Sequence, residues 1–129
     1  MIKKIAFVGF GGQERDVAKS KHFWGEVLGL EHKFDYQEGK WVEFDAPDGK
    51  TSALDGFSPV QGAYLALETD AIEEELKRLE AAGVEIVKGV QDNKVCKMAF
   101  IQDPEGNTIM LHQVSPDRLK GDAEGTCSA

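Results

Sequence analysis

The chain has 129 residues, of which 41% are hydrophobic and 29% are charged, and its formal net charge is −8. This length and composition fit one globular domain that can bury a core. The acidic balance argues against nucleic acid or an anionic membrane as a partner and mildly favours neutral or cationic ligands, although such a charge is also a common means of solubility.

No stretch approaches the roughly 18 apolar residues that a membrane-spanning helix needs. The apolar run near the start is too short for a signal peptide, and no small-residue cleavage site follows it. Cys96 lies in a predicted strand and Cys127 in a polar tail, so the two cysteines do not make a disulfide framework. We therefore expect a cytoplasmic protein with no membrane contact.

The first half of the chain begins with a β-branched and aromatic strand at residues 2–10. Asp16 is the predicted N-cap of a helix that runs to about Leu28 and stops at Gly29. Strands are predicted at 32–37, 40–45 and Thr51–Asp55. The predicted buried face of the helix follows helical spacing and comprises Val17, Ser20, Phe23, Trp24, Val27 and Leu28.

The second half repeats this order after a linker at 57–62. A strand at 63–69 precedes a helix over about 71–82, which carries an apolar stripe and ends at Gly83. Strands are then predicted at 84–88, 95–102 and 107–114, and residues 115–129 are read as a polar C-terminal tail.

An internal repeat underlies this order. Pro47 and Pro104 are 57 positions apart, as are Gly49 and Gly106, and both pairs stand in turns between strands. The chain is therefore read as two β-α-β-β-β modules, at about 1–56 and 63–114, within one domain at 1–114. Neither module has enough core alone, so the predicted fold is α+β, with a curved eight-stranded mixed sheet, helices on its convex face and a cavity on its concave face.

These residues carry a resemblance to a known family. The helix pattern from Asp16 to Leu30 and the stretch 100–109, which contains Asp103-Pro104-Glu105-Gly106, resemble the vicinal oxygen chelate superfamily. That superfamily includes glyoxalase I, bleomycin-resistance proteins, fosfomycin-resistance enzymes and extradiol dioxygenases. The resemblance covers both modules and implies a homodimer, but the fold hosts many chemistries.

In the enzymes of that superfamily, a divalent metal is held by four strand positions. The resemblance carries these positions over to Phe7, Ala53, Tyr64 and Met110. Phenylalanine and alanine offer no donor atom, neutral tyrosine is a poor ligand, and a thioether suits soft metals. We therefore predict no metal and no other cofactor.

The alternation of side chains along the strands predicts what lines the concave face instead. Flexible methionines and rigid aromatic rings suit planar apolar ligands, while Glu43 and His112 supply polar groups. A closed core is the alternative, but an unpartnered Glu43 carboxylate in it would cost several kcal/mol. The predicted ligand-binding residues are Phe7, Trp41, Glu43, Tyr64, Met98, Phe100, Met110 and His112.

Three classes of function remain open. The first is a metal-free binding protein of the bleomycin-resistance type, which sequesters or carries a small aromatic or cationic molecule. The second is a lyase or isomerase of the glyoxalase I type that uses either a divalent metal or Glu43 and His112 as an acid–base pair. The third is a structural or regulatory subunit with a collapsed cavity.

Overall fold

The computed structural model describes residues 1–94 and 96–115. Its fold is α+β with an eight-stranded mixed sheet, which confirms the predicted class. The chain divides into two compact units: the first unit is Phe7–Ala63, and the second unit joins Met1–Ala6 to the residues from Tyr64 onward. Within the described residues, no helix is long and apolar enough to cross a membrane. The predicted tail at 115–129 lies outside this part of the chain, apart from Ser115.

In the first unit the strands follow the order β2-β3-β4-β1. The strands β2, β3 and β4 are antiparallel, whereas β4 and β1 are parallel. Each strand of this unit lies within one residue of its predicted bounds, because alternating apolar residues and flanking turns mark it clearly. The elements are β1 (Ile2–Gly11, whose first five residues belong to the second unit), α1 (Val17–Lys21), a π-helical turn (His22–Val27), β2 (Glu31–Tyr36), β3 (Trp41–Asp45) and β4 (Thr51–Asp55).

The helical segment of this unit begins as predicted and ends differently. Asp16 caps α1, since its side-chain oxygen accepts a hydrogen bond from the backbone N–H of Lys19 at 3.0 Å. The prediction of one α-helix to Leu28 is wrong, because α1 ends at Lys21 and the chain continues as a π-helix. The backbone N–H of Leu28 closes this turn on the carbonyl of Phe23, five residues back, at 2.9 Å.

The π-helical turn also changes which side chains are buried. It holds more residues per turn than an α-helix, so the spacing of 3.6 residues no longer keeps one stripe on one face. Phe23, Val27 and Leu28 were predicted to be buried, but they are 47%, 61% and 50% exposed. Trp24 stays half-buried and packs against Phe10 of β1, with 5.0 Å between the ring centroids.

The helix-facing core of the first unit comes from alternate strand residues. Val42 and Phe44 of β3 and Leu54 of β4 are buried together. Because side chains alternate along a strand, Trp41 and Glu43 lie on the opposite face of β3. Three partly buried residues complete this core from the helical side and from β1: Phe10, Trp24 and Leu30.

The second unit has the strand order β5-β8-β7-β6, with β5 and β8 parallel and the other pairs antiparallel. Strand β6 runs to Asp92, four residues beyond its predicted end at Lys88. Register shifts in the pairing with β7 interrupt the alternation of apolar and polar side chains along β6. The sequence pattern therefore did not reveal the last residues of the strand. The elements are β5 (Gly62–Thr69, whose first two residues belong to the first unit), α2 (Ile72–Ala81), β6 (Glu85–Asp92), β7 (Cys96–Gln102) and β8 (Thr108–Val114).

Helix α2 is regular over ten residues, and Gly83, with φ of +87°, follows its end as predicted. Its apolar stripe packs on the sheet through Ile72, which is buried with Ala99 and Leu111. Cys96 at the start of β7 is buried and disulfide-bonded, and Cys127 lies outside the described residues.

The two turns that revealed the repeat have the same backbone. The N–H of Ala46 bonds to the carbonyl of Lys50 at 2.9 Å, and that of Asp103 bonds to the carbonyl of Asn107 at 3.0 Å. Gly49 and Gly106 have φ of +83° and +86°, which glycine adopts without strain. The two turns therefore have the same geometry because proline and glycine occupy matching positions in both, which is visible in the sequence.

Candidate functional site

Three of the predicted site residues meet on the helix-free face of the first unit. The rings of Phe7 and Trp41 are in edge-to-face contact, with centroids 5.6 Å apart and planes at 84°. The indole N–H of Trp41 donates to Oε2 of Glu43 at 2.7 Å. All three side chains belong to residues that are at most 2% exposed. We call Phe7, Trp41 and Glu43 the first-unit cluster.

Glu43 thus has the partner that its burial requires. The donor lies two residues away on the same strand, because residues i and i+2 of a strand share a face. A carboxylate that accepts a hydrogen bond in a dry environment is held far more favourably than a bare one. The first-unit cluster therefore fixes both the ring of Trp41 and the carboxylate of Glu43.

The other predicted site residues lie on the helix-free face of the second unit. Tyr64 and Phe100 make an edge-to-face contact with centroids 5.5 Å apart and planes at 87°. Phe100 pairs across the sheet with Met110, and Met98 pairs with His112, so each pair shares a face. All five residues are buried. The side chains on the opposite face, such as Ala99 and Leu111, contact α2 instead.

His112 lies in a buried ion pair or hydrogen bond with Glu68. The ring atom Nδ1 is 2.6 Å from Oε1 of Glu68, and Oε2 of the same carboxylate accepts the backbone N–H of Val114 at 2.9 Å. The side chains of His112 and Glu68 are 1% and 14% exposed. When Nδ1 donates to the Glu68 carboxylate, Nε2 is the acceptor nitrogen of a neutral ring.

Glu68 is a candidate site residue that the sequence did not reveal. It stands in register with His112 on the parallel strand β8, and it shares the face of Tyr64 on β5. The strand predicted at 63–69 contained this signal, since Tyr64 and Glu68 are four residues apart and therefore point to the same side. The predicted polar groups Glu43 and His112 lie in different units, and each has a partner within its own unit.

The two units thus offer different chemistry. The pair of Trp41 and Glu43 can orient a ring beside a carboxyl group. The pair of His112 and Glu68 combines an imidazole with a carboxylate that orients it, an arrangement in which histidine serves as a general base. These groups are those that a binding site and a proton-transfer site, respectively, would use.

The positions to which the resemblance assigns metal ligands are buried in the sheet. Phe7, Ala53, Tyr64 and Met110 are each at most 2% exposed. Among residues 1–94 and 96–115, no group of three or more histidine, cysteine, aspartate or glutamate residues has the arrangement to hold a metal ion. The donor set at the four positions does not fit the divalent metal of the related enzymes.

The sequence matches one protein family over most of its length. A sequence model of the Glyoxalase/Bleomycin resistance protein/Dioxygenase superfamily matches residues 13–111, which is more than half of the chain. The chain belongs to this superfamily. The resemblance that the two modules suggest is therefore confirmed. No curated protein matches the chain.

Several solved structures share the fold. A superfamily member from Vibrio splendidus 12B01 is 20% identical, with 83% of this chain and 96% of that chain covered and a TM-score of 0.61. The methylmalonyl-CoA epimerase from Mycobacterium tuberculosis is 15% identical, with 93% of each chain covered and a TM-score of 0.67.

A larger relative of known metal content is also similar. The Mn(II)-bound glyoxalase from Novosphingobium aromaticivorans is 20% identical, with 87% of this chain and 39% of that chain covered and a TM-score of 0.59. At such identities the likeness establishes the fold alone and identifies neither a ligand nor an activity.

Proposed function

We propose that this superfamily member is a metal-free binding protein that sequesters or carries a small aromatic or cationic molecule on the helix-free face of the sheet. The observation that carries the proposal is the first-unit cluster, in which Trp41 and Glu43 are held by a 2.7 Å hydrogen bond. An oriented aromatic ring beside a carboxylate is suited to a planar ligand that bears a positive charge or a hydrogen-bond donor.

Fluorescence of Trp41 tests this proposal. The chain has two tryptophans, so Trp24→Phe leaves Trp41 as the single reporter. We expect aromatic cations to change its emission, and Glu43→Gln to weaken their binding while their neutral isosteres are hardly affected. Equal loss for cations and isosteres, or no response of Trp41 to any member of the panel, would favour a closed core at this face.

The absence of a metal is part of the same proposal. Because Phe7, Ala53 and Met110 supply no suitable donor at the positions of the superfamily's metal, the protein should purify without stoichiometric metal. Elemental analysis for zinc, nickel, iron and manganese measures this directly. One tightly bound ion per chain would contradict the proposal.

A second candidate function rests on His112 and Glu68. Their 2.6 Å contact favours a lyase or isomerase in which His112 moves a proton, with Glu68 in place of the predicted partner Glu43. The likeness to glyoxalases and to an epimerase of an acyl-CoA suggests a panel of 2-oxoaldehyde hemithioacetals and acyl thioesters. Deuterium uptake from D₂O that His112→Asn abolishes would establish this alternative over simple binding.

We also propose that two chains pair. Members of the superfamily commonly form dimers, and pairing covers sheet edges that a lone chain leaves open. Light scattering at micromolar concentration should give about 28 kDa, twice the mass of the 14.2 kDa chain. A mass of one chain would contradict the proposal.

The proposed location is the cytoplasm. One disulfide at Cys96 is not the dense framework that small secreted domains carry. Fractionation of cells should therefore find the protein with cytoplasmic markers. Recovery of the protein from an oxidising compartment would contradict the proposal.

A further inference from the structure

The helix-free face of the second unit brings two methionines to a buried histidine. The chain has three methionines, and the two besides Met1 are Met98 and Met110. Met98 stands directly opposite His112 in the antiparallel pairing of β7 with β8, and Met110 lies two residues before His112 on β8. We call Met98, Met110 and His112 the sulfur–imidazole site.

Strand geometry places the three side chains within reach of one point. Residues directly opposite each other in an antiparallel pair have Cβ atoms about 4.5–5.5 Å apart, and positions i and i+2 of one strand are about 6–7 Å apart. The diagonal from Met98 to Met110 is roughly 7–8 Å, a separation that long side chains bridge. The two thioether sulfurs and the imidazole can therefore converge above the sheet.

Glu68 sets which nitrogen of the imidazole can act as a ligand. Nδ1 of His112 is 2.6 Å from Oε1 of Glu68, and when Nδ1 donates to this carboxylate, Nε2 is the acceptor nitrogen of a neutral ring. Oε2 of Glu68 is held in turn by the backbone N–H of Val114 at 2.9 Å. A carboxylate that orients a histidine through its other ring nitrogen is a common support for histidine ligands of metal ions.

The donor set favours a soft ion with a single charge. Two thioethers and one imidazole suit Cu(I), whereas manganese and magnesium prefer oxygen ligands. Met98, Met110 and His112 are 7%, 0% and 1% exposed, so a charge bound among them needs a compensating charge. The ionised carboxylate of Glu68 would balance one positive charge through the imidazole and would leave half the charge of a divalent ion uncompensated.

We propose that the sulfur–imidazole site binds one Cu(I) ion through the two thioethers and Nε2 of His112. This site goes beyond the function proposed above, which rests on the first-unit cluster and on the poor fit of the superfamily's divalent metal. Cu(II), the form that persists in air, prefers nitrogen and oxygen ligands in a planar arrangement. Protein purified in air should therefore still be without stoichiometric metal, and the site fills when Cu(I) is supplied.

Competition with a chromogenic chelator measures this binding. The Cu(I) complex of bicinchoninate, kept reduced by ascorbate in the absence of oxygen, should give up one equivalent of Cu(I) to the protein. An excess of Zn(II) should leave this transfer unchanged, because two of the three ligands are thioethers. No transfer, or transfer that Zn(II) suppresses, would overturn the proposal.

Silver identifies the ligands directly, because Ag(I) has the same charge as Cu(I) and the same preference for sulfur but is stable in air. Saturation with Ag(I) should shift the methyl resonances of Met98 and Met110 and the Nε2 resonance of His112. The methyl resonance of Met1, which is 82% exposed, is the internal control and should not move. Unshifted Met98 and Met110 signals in silver-loaded protein would overturn the assignment.

Conservative variants separate ligation from packing. Methionine also fills gaps in a core as a flexible hydrophobic residue, and leucine replaces it with little change in volume. Met98→Leu and Met110→Leu should each weaken Cu(I) binding roughly tenfold or more, whereas Met1→Leu should not. A thermal unfolding transition verifies that each variant is folded. Wild-type affinity in either Met98→Leu or Met110→Leu would overturn the three-ligand site.

The cysteines are the other soft ligands of the chain and need their own control. Cys96 is disulfide-bonded, and ascorbate is too weak a reductant to open a protein disulfide. A variant that combines Cys96→Ala with Cys127→Ala should bind Cu(I) as the wild type does. Loss of binding in this variant would assign the ion to the thiols and overturn the proposal. Trp41 fluorescence in Trp24→Phe reports separately on the first-unit cluster, so either proposal can fail while the other stands.

Discussion

In the first unit, the carboxylate of Glu43 accepts a hydrogen bond from Trp41, two residues away on the same strand. In the second unit, the carboxylate of Glu68 contacts His112 on the neighbouring strand β8. An indole N–H does not titrate in the physiological range, whereas an imidazole does. The same scaffold thus pairs a buried glutamate with an indole donor in one unit and a glutamate with an imidazole ring in the other.

Loss of the indole should have the largest effect on stability. Trp41→Phe removes a charge-assisted hydrogen bond from a carboxylate in a residue that is 1% exposed, along with part of a buried ring. We expect a loss of about 2–3 kcal/mol in the free energy of unfolding, measured by urea denaturation. The second change Glu43→Gln should restore part of this loss, because it removes the buried charge.

Trp24→Phe is the matched control for that prediction. Trp24 is the other tryptophan of the chain, and it is only half-buried on the helical side. Its replacement should cost clearly less. If the two tryptophan variants lose the same free energy, the hydrogen bond to Glu43 contributes nothing that ring packing does not.

Loss of the contact between Glu68 and His112 in the second unit should lower the free energy of unfolding by a smaller amount. Glu68→Ala removes the acceptor of His112 Nδ1 and of the Val114 N–H, which should cost about 1–2 kcal/mol. Glu68→Gln retains the shape and an acceptor and should cost less. In Glu68→Ala, ring nitrogen shifts should show that His112 loses its preference for the proton on Nδ1; an unchanged tautomer would mean that Glu68 does not orient the ring.

Helix α2 should contribute to a pH dependence of the free energy of unfolding that helix α1 does not share. Three glutamates stand in the first turn of α2 and no acidic residue in that of α1. Hydrogen bonds from Arg78, followed by those from the amino group of Met1, lower the pKa of Glu75 despite the opposing effect of burial. A lowered pKa stabilises the fold above the usual glutamate value of 4.5, and this contribution disappears as the pH falls through the folded-state pKa.

Glu75→Gln should therefore destabilise the protein at pH 7, and this loss should shrink as the pH falls through the folded-state pKa of Glu75, because the wild-type carboxyl then becomes protonated as well. Glu74→Gln, at an exposed position of the same helical turn, should change the free energy of unfolding little at any pH. Urea denaturation over a series of pH values from 7 downward measures both variants. A Glu75→Gln effect that does not shrink before the protein unfolds in acid would exclude the ion pair as its cause.

The two turns should show the smallest effects, because their backbones match and the comparison concerns the side chain at their first position. Asp103 accepts from the backbone N–H groups of Glu105 and Asn107 and from the side-chain amide of Asn107, whereas Ala46 occupies its place in the first unit. Asp103→Ala should lower the urea midpoint, and Ala46→Asp should raise it. Changes of the same sign in both variants would show that the two turns are not equivalent.

Alternation and turn chemistry were enough to predict most strands and the face on which each site residue lies. The partners were not predictable in the same way, because the contact of Glu68 with His112 depends on the register of strands that are 44 residues apart in the chain. The π-helical turn was missed for a related reason. Its packing involves Gly25 and Phe44, which are distant in the sequence, and the spacing of apolar residues does not show that one helical turn contains an extra residue.

The buried hydrogen bond of Trp41 has a consequence for hydrogen exchange. The indole proton is bound to Glu43 in a residue that is 2% exposed, so it can exchange with D₂O only when the first unit opens. Backbone amides of Ala99 and Leu111 provide the corresponding probes in the buried core of the second unit. If the indole and these amides report the same opening free energy, the two units unfold as one cooperative block; a lower value for the indole would identify the first unit as the part that opens alone.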